Sequence, residues 1–353
     1  MIGAGAVAAM ASLPFPQAAH ANSANPTGPF PLPLEDWQWF RQTFVTPEGR
    51  VVDTGNGGIS HSEGQGYGML LAAAAGARAD FNRIWQWTHS NLMVRQDGLV
   101  AWKWVPEGAG KAAGKVTDPN NATDGDILIA WALLRAGKRW NDRSFLTAAT
   151  SMAMAVRSNM IRRVGDQSIL LPGHVGFERP NGLIANPSYW VFPALDAFAR
   201  RHDRDLWRAV SDSGRALVAR ARFGEAGLPP DWVELAGTEL RLPSGFETVF
   251  GFNAIRVPLY AIWGGLDDAD ALNRPVVSWW SGHDGAPFIP ATVDLATDAK
   301  APYGLSGGGR AVSVLTRFRG EALPMLPSIG DTDDYYSATL ILLTKIAFSE
   351  RFM

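Results

Sequence analysis

No cysteine occurs in the 353 residues, which excludes disulfides and thiolate-held metals and removes the usual clue to redox compartment. Excess charge is lacking too. Thirty-two Lys and Arg balance 34 Asp and Glu to a net charge of −2, and no basic stripe gathers the positive side chains, so nucleic acid is not an expected partner. Past the N-terminal segment no run approaches the roughly 18 consecutive apolar residues that a membrane span requires. Strands and helices do not alternate in a βαβ pattern, and no strict internal repeat is visible, which disfavours a parallel α/β sheet and a TPR-like or HEAT-like solenoid. Tyrosine is scarce at six residues, against 14 Trp. Many of these Trp stand beside Gly, Pro or polar residues, where flat rings suit a sugar-binding cleft, although any single Trp is first a core candidate.

Residues 2–21 are small and apolar, and Ala19-His20-Ala21 fits the small-x-small pattern before a signal-peptidase cut. The first Lys or Arg is Arg41, so residues 1–21 read as the remnant of a signal peptide that starts upstream. The expected mature chain, residues 22–353, is then one exported domain, secreted or periplasmic. After a Pro-rich connector, Trp37, Phe40 and Phe44 at helical spacing predict a first helix over Leu34 to Phe44. Apolar periodicity predicts further helices near 63–78, 80–95, 122–138, 143–160, 189–202, 204–221, 248–263, 267–281, 308–320 and 335–350. Strand candidates are few: 48–52, 168–171 and 174–177. The expectation is an all-α domain of paired helices, either a closed ring or an irregular globule.

Two runs stand out chemically. His61-Ser62-Glu63-Gly64-Gln65-Gly66-Tyr67-Gly68 leads into the apolar stretch Met69 to Ala77. With Ser60 or Ser62 as N-cap, Glu63 sits at a helix mouth, where the dipole favours a carboxylate. Three glycines at alternate positions weaken a helix unless another body approaches closely. That body is either a bound ligand or a neighbouring helix. The second run is Ala122-Thr123-Asp124-Gly125-Asp126. With Thr123 as cap, Asp126 takes the capping-box position and a structural role, which leaves Asp124 at the helix mouth. Two helix mouths facing one cleft would present a carboxylate pair, the working parts of glycoside hydrolysis.

The run Ala122 to Trp140, ATDGDILIAWALLRAGKRW, resembles the signature of glycoside hydrolase family 8, and SEGQGYGMLLAA from Ser62 resembles that family's other hallmark. NPSYWVFPAL from Asn186, FNAIRVPLY from Phe252 and DDYYSATLILL near the C-terminus extend the likeness over nearly the whole mature chain. The resemblance implies a six-fold (α/α) barrel with a few short β-strands that cuts β-1,4-glucan with inversion and needs no cofactor. Within the family the chain is similar to the secreted endoglucanases associated with cellulose synthesis. Glu63 matches the family's general acid and Asp124 its second hallmark acid. An inverting enzyme also needs a base that activates water, expected as an aspartate in the run Phe250 to Arg256. Asn253 stands there, and asparagine is no competent base. Asp124, Glu247, Asp331, Asp333 and Asp334 are the candidates for that task, with Asp124 preferred.

Trp102, Trp104, Tyr189 and Trp190 are the candidate sugar platforms, one or two of them core residues. Arg256 is a candidate partner for a cleft carboxylate or an anchor of its helix, Tyr335 or Tyr336 a candidate sugar contact or cap, and His61 a local hydrogen-bonding residue. The competing non-enzymatic reading is a glucan-binding accessory protein, to which Asn253 lends weight. Xylan or chitosan is the alternative substrate.

Overall fold

The structure, a computed structural model, describes residues 31–107, 113–320, 324–330 and 333–353. The signal-peptide expectation and Asp331 lie outside them. Eleven α-helices are present among the described residues: α1 (Leu34–Phe44), α2 (Ser62–Ala74), α3 (Arg78–Leu92), α4 (Thr123–Arg139), α5 (Arg143–Met160), α6 (Phe192–Ala199), α7 (Arg204–Arg220), α8 (Arg256–Trp263), α9 (Ala269–Ser281), α10 (Gly307–Arg317) and α11 (Tyr335–Phe352). None is long and apolar enough to cross a membrane.

An inner set and an outer set are separable by burial. Every residue of α2 except Glu63 is buried, and α4 is buried from Thr123 through Leu134, as expected of helices surrounded by protein. In α7 the buried positions Trp207, Val210, Gly214, Leu217 and Val218 form one stripe at three- and four-residue spacing, which marks a helix with one face in water. Contacts follow the same division. Helix α2 packs on α4, α4 on α6, α6 on α8, α8 on α11, and α11 on α2, while α3, α5, α7 and α9 back α2, α4, α6 and α8 in turn. One hydrophobic cluster runs through these contacts from Leu32 to Phe348.

The tightest contact is made possible by two glycines. A Cβ on Gly66 would lie 2.6 Å from the Leu128 Cβ of α4, and one on Gly125 would lie 2.1 Å from Ser62 Oγ and 2.7 Å from the Glu63 amide nitrogen. A Cβ on Gly64 would meet the Tyr335 hydroxyl at 2.9 Å and one on Gly68 would meet Val51 Cγ2 at 2.7 Å, so protein, not a ligand, is the body at all three α2 glycines, and at Gly66 and Gly125 it is a neighbouring helix. Their absence of side chains lets the first turns of α2 and α4 touch.

Short ribbons decorate the helix ends. The strands β1 (Ser60–His61), β2 (Lys103–Glu107) and β3 (Ala113–Asp118) form one antiparallel sheet, and β4 (Ile161–Val164) pairs with β5 (Gln167–Leu170). A four-stranded sheet follows the order β6 (Glu178–Arg179), β7 (Gly182–Ala185), β8 (Val233–Ala236), β9 (Glu239–Arg241), and β10 (Val249–Phe250) pairs with β11 (Val293–Asp294). The 168–171 expectation matches β5. Residues 174–177 form a bend, and residues 48–52 contribute only an isolated bridge between Val45 and Val51. The helix expected over 248–263 keeps only its second half. Val249 and Phe250 pair with Asp294 and Val293, and the next turn is held by a side chain from a distant loop.

Candidate active site

Helix α2 begins on His61, whose Nδ1 accepts the Gly64 N–H at 3.0 Å. Neither Ser60 nor Ser62 caps it. An accepting Nδ1 places the imidazole proton on Nε2, which faces Asp53 Oδ2 at 3.3 Å. Glu63 thus sits in the first turn with its side chain one-fifth exposed. It is the sole opening in an otherwise buried helix, and a carboxylate is an expensive occupant for that place unless it is used. Tyr67, four residues on and on the same helix face, donates its hydroxyl to Glu63 Oε1 at 2.9 Å and meets the Tyr260 hydroxyl at 2.9 Å.

Asp124 comes from the first turn of α4 and is 2% exposed. Its Oδ1 accepts the Gly125 N–H at 2.8 Å. Burial pushes its carboxyl up to about 7, against hydrogen bonds from the Gly125 N–H and from Tyr189. Asp126 is also driven to about 7 by burial, but it is no capping-box acid. Its two oxygens accept from the Val100 N–H and Asn121 Nδ2, both at 2.9 Å, and tie the preceding loop to α4. Thr123 points elsewhere, donating to the Leu171 carbonyl at 2.6 Å.

Arg256 joins the two acids. It is 2% exposed at the start of α8. Its Nη1 bonds Glu63 Oε1, Asp124 Oδ2 at 3.3 Å and the Tyr67 hydroxyl at 3.0 Å, and its Nη2 bonds Ser188 Oγ at 3.0 Å and Asn253 Oδ1 at 2.7 Å. A planar guanidinium with five N–H donors suits such branching, where a lysine would offer one point. Because Glu63 and Asp124 share one nitrogen, their oxygens are closer than the roughly 6.5 Å an acid and a base need to admit a water. Asp124 therefore does not suit the preferred role of base.

The chain matches the model of glycosyl hydrolases family 8 over residues 4–349. It belongs to that family. A probable endoglucanase from Novacetimonas hansenii is 42% identical over 332 residues, covering 92% of this chain and 94% of that protein. Among solved structures, an endo-β-1,4-glucanase from Acetobacter xylinum superposes with a TM-score of 0.82 at 41% identity, covering 91% of this chain and 98% of that one. A family 8 endoglucanase from Klebsiella pneumoniae gives 0.82 at 38% identity, covering 90% and 99%.

Against this family 8 frame the other expected site residues divide. Trp102 is partly exposed and flanks the acid: its carbonyl accepts the Ser62 N–H at 3.0 Å and Lys103 Nζ stands 5.4 Å from its ring. Tyr189 is partly exposed and acts on Asp124. Trp104 is a core residue instead, 3% exposed, edge-on to Trp87 and under Arg50. Trp190 is fully buried, its indole N–H donating to the Val210 carbonyl at 2.9 Å. Regular alternation would put Trp102 and Trp104 on one face, but Trp102 precedes β2 and the pairing register shifts between Lys103 and Trp104, so in each neighbouring pair one ring is lost to the core and the other is not. Tyr335 is 1% exposed among Phe40, Phe44 and His61, so it offers no surface to a sugar. Tyr336 donates to the Phe252 carbonyl. Of the base candidates, Glu247 is exposed. Asp334 caps α11 through the Ser337 N–H, and Asp333 accepts from Ser337 Oγ and Gly330 N–H.

Three participants escaped sequence reasoning. Tyr67 was detectable, since it stands one helical turn after Glu63. Trp232 lies in the Gly- and Pro-rich connector 224–244. It stacks on Phe177 at 5.7 Å and 13° and leans on Tyr189 and Phe246, forming an aromatic wall with no periodic signature. Its neighbour Asp231 had no local signal at all.

The glycine contact makes a first prediction. Gly125→Ala would force the mouths of α2 and α4 apart, and we expect a stability cost of about 1–3 kcal/mol together with a loss of kcat of about 100-fold, since a misplacement near 1 Å costs that much. Urea unfolding and initial rates on carboxymethyl cellulose check both. Ala at Gly330, where no atom lies within 4 Å and the backbone is not left-handed, is the control for kcat.

Proposed function

We propose that this family 8 chain is an inverting endo-β-1,4-glucanase in which Glu63 protonates the departing glycosidic oxygen and Asp124 holds the distorted sugar. The observation that carries the reading is the meeting of the two acids on one buried guanidinium. The names of the relatives agree with it, being endoglucanases at 38–42% identity.

One positive charge faces two carboxylates there, in a setting where burial penalises a second negative charge. The pair then favours retaining one proton near neutrality, titrating as a unit. A general acid at a helix mouth needs such opposition to the dipole, which by itself favours the ionised form. Trp102, Tyr189 and Trp232 would receive sugar faces along the groove. The helix contacts that run from α2 through α4, α6, α8, α10 and α11 back to α2 support a six-fold (α/α) barrel as the arrangement of a single catalytic domain. Export to the periplasm or beyond, and a working association with a cellulose synthase, complete the proposal on the strength of the sequence likeness.

The test is incubation with carboxymethyl cellulose. We expect new reducing ends, a fall in viscosity that runs ahead of them, and α-configured product in the first seconds by NMR. Tight glucan binding without new ends would establish the accessory reading in its place.

A further inference from the structure

The mechanism above lacks a base, because Asn253 occupies the position where the family resemblance leads one to look for a carboxylate. The side chain behind Asn253 is Asp231, on the loop entering β8. It is 3% exposed. Its two oxygens are used unequally. Oδ1 accepts the Gly251 N–H at 3.0 Å and the Ala254 N–H at 2.7 Å, which anchors the turn before α8. Oδ2 has one long contact, 3.3 Å from Asn253 Nδ2, and so retains accepting capacity on the side of a residue that is itself only partly buried.

The orientation of the Asn253 carboxamide is fixed from both ends. Its oxygen takes an Arg256 N–H and its nitrogen faces Asp231, so the second amide hydrogen is left to hold a water beside Oδ2. The contacts run from Glu63 to the Arg256 guanidinium, on to the Asn253 carboxamide and then to Asp231, so two groups intervene between these acids where Glu63 and Asp124 share one nitrogen. An inverting pair needs room for a water between its carboxyls, which Glu63 and Asp124 lack.

Resting on the glucanase reading, we propose that Asp231 is the base of this enzyme, taking a proton from a water held by Asn253. The water oxygen bonds to the anomeric carbon as the bond from that carbon to the leaving oxygen breaks. Glu63 gives its proton to the leaving oxygen, and the water proton passes to Asp231 Oδ2. One water is consumed, and the proton lost by Glu63 is balanced by the one gained by Asp231. Burial holds the Asp231 carboxyl at about 6, against hydrogen bonds from Ala254, Asn253 and Gly251, a value near that of an effective general base. The charged and titratable groups facing it are Arg256, through Asn253, and Tyr336.

The decisive measurement is a double-mutant cycle. Asp231→Asn should lower kcat at least about 100-fold with KM nearly unchanged, and should erase the acid-side limb of the kcat/KM profile near pH 6. In an Asn253→Asp background a carboxylate already occupies the cleft, and there Asp231→Asn should cost less than about fivefold. Equal losses in both backgrounds would mean that Asp231 only holds the turn and would overturn the proposal. So would full kcat in Asp231→Asn. Asp231→Glu, which moves the same carboxylate by one methylene, guards against an unfolded variant: we expect at least about a tenfold loss in kcat, and wild-type kcat would again overturn the role. A wild-type chain that releases no ends from glucan refutes the glucanase reading itself, an outcome distinct from either of these.

Discussion

Glu63→Gln is expected to lower kcat on carboxymethyl cellulose by about a thousandfold, within the span that general acid catalysis supplies, while leaving the fold intact. The substitution keeps size and keeps Oε1 as an acceptor for Tyr67 and Arg256, so its melting temperature should stay close to the wild type. What it removes is the transferable proton. That proton matters in proportion to how poor the leaving group is: a glucosyl oxygen needs it, whereas a dinitrophenolate does not. On a dinitrophenyl cello-oligosaccharide the loss should therefore shrink to about tenfold or less, because only the transition-state contribution tied to leaving-group protonation is missing. Equal losses on the two substrates would show that Glu63 acts through binding or structure. The reading of α2 as a helix whose single unburied residue delivers the acid would then fail with it.

How much of this was legible beforehand depends on how far each signal travels along the chain. Helices with a continuous apolar pattern, such as α4 and α5, were expected within a residue or two of where they stand. Helix α6 was expected from 189 but starts at Phe192, because Pro187 and Pro193 confine the preceding residues to a short 3-10 turn. The truncation of α8 had no local cause. Asp231 grips the amides of Gly251 and Ala254 across 20 and 23 positions, and a grip of that kind leaves no periodicity. The strands β2 and β3, and β8 and β9, pair as local hairpins, but Pro106, Gly114 and Gly237 break their alternation and make the segments read as connectors. At the site, Glu63 and Asp124 were visible because each sits at a helix start marked by glycine, and Gly66 and Gly125 are what bring them together. Arg256 was visible as a residue but not as the hub, since its five partners come from α2, α4, the 187–189 turn and its own N-terminal loop. Sequence proximity could not rank Trp104 below Trp102 either. That depended on Trp104, inside β2, packing on Trp87, whereas Trp102 lies before the strand.

Replacing Arg256 tests the hub itself, and the sign of the pH effect distinguishes it from ordinary core damage. Arg256→Met keeps much of the aliphatic volume but leaves Asp124 and Glu63 buried or half-buried without a counter-charge, a change expected to cost about 3–5 kcal/mol. The cost falls on ionised carboxylates alone. The Asp124 carboxyl stands at about 7 in the intact site, above its unfolded value near 3.9, so the folded state keeps the proton that the unfolded chain releases as pH rises past 4. Loss of the guanidinium raises the folded value further, which widens the window over which rising pH destabilises the variant relative to the wild type. Urea unfolding should accordingly show a penalty at pH 8 that is larger by at least about 1 kcal/mol than at pH 5, by the linkage between proton binding and stability. Arg256→Lys should recover part of the stability, since the charge returns. It should not recover kcat, because an ammonium on a flexible stem cannot bond Glu63 and Asp124 while also fixing Asn253 and Ser188. A pH-independent penalty in Arg256→Met, or wild-type kcat in Arg256→Lys, would mean that the acids are held by their helices alone, and the guanidinium would lose its place at the centre of the mechanism.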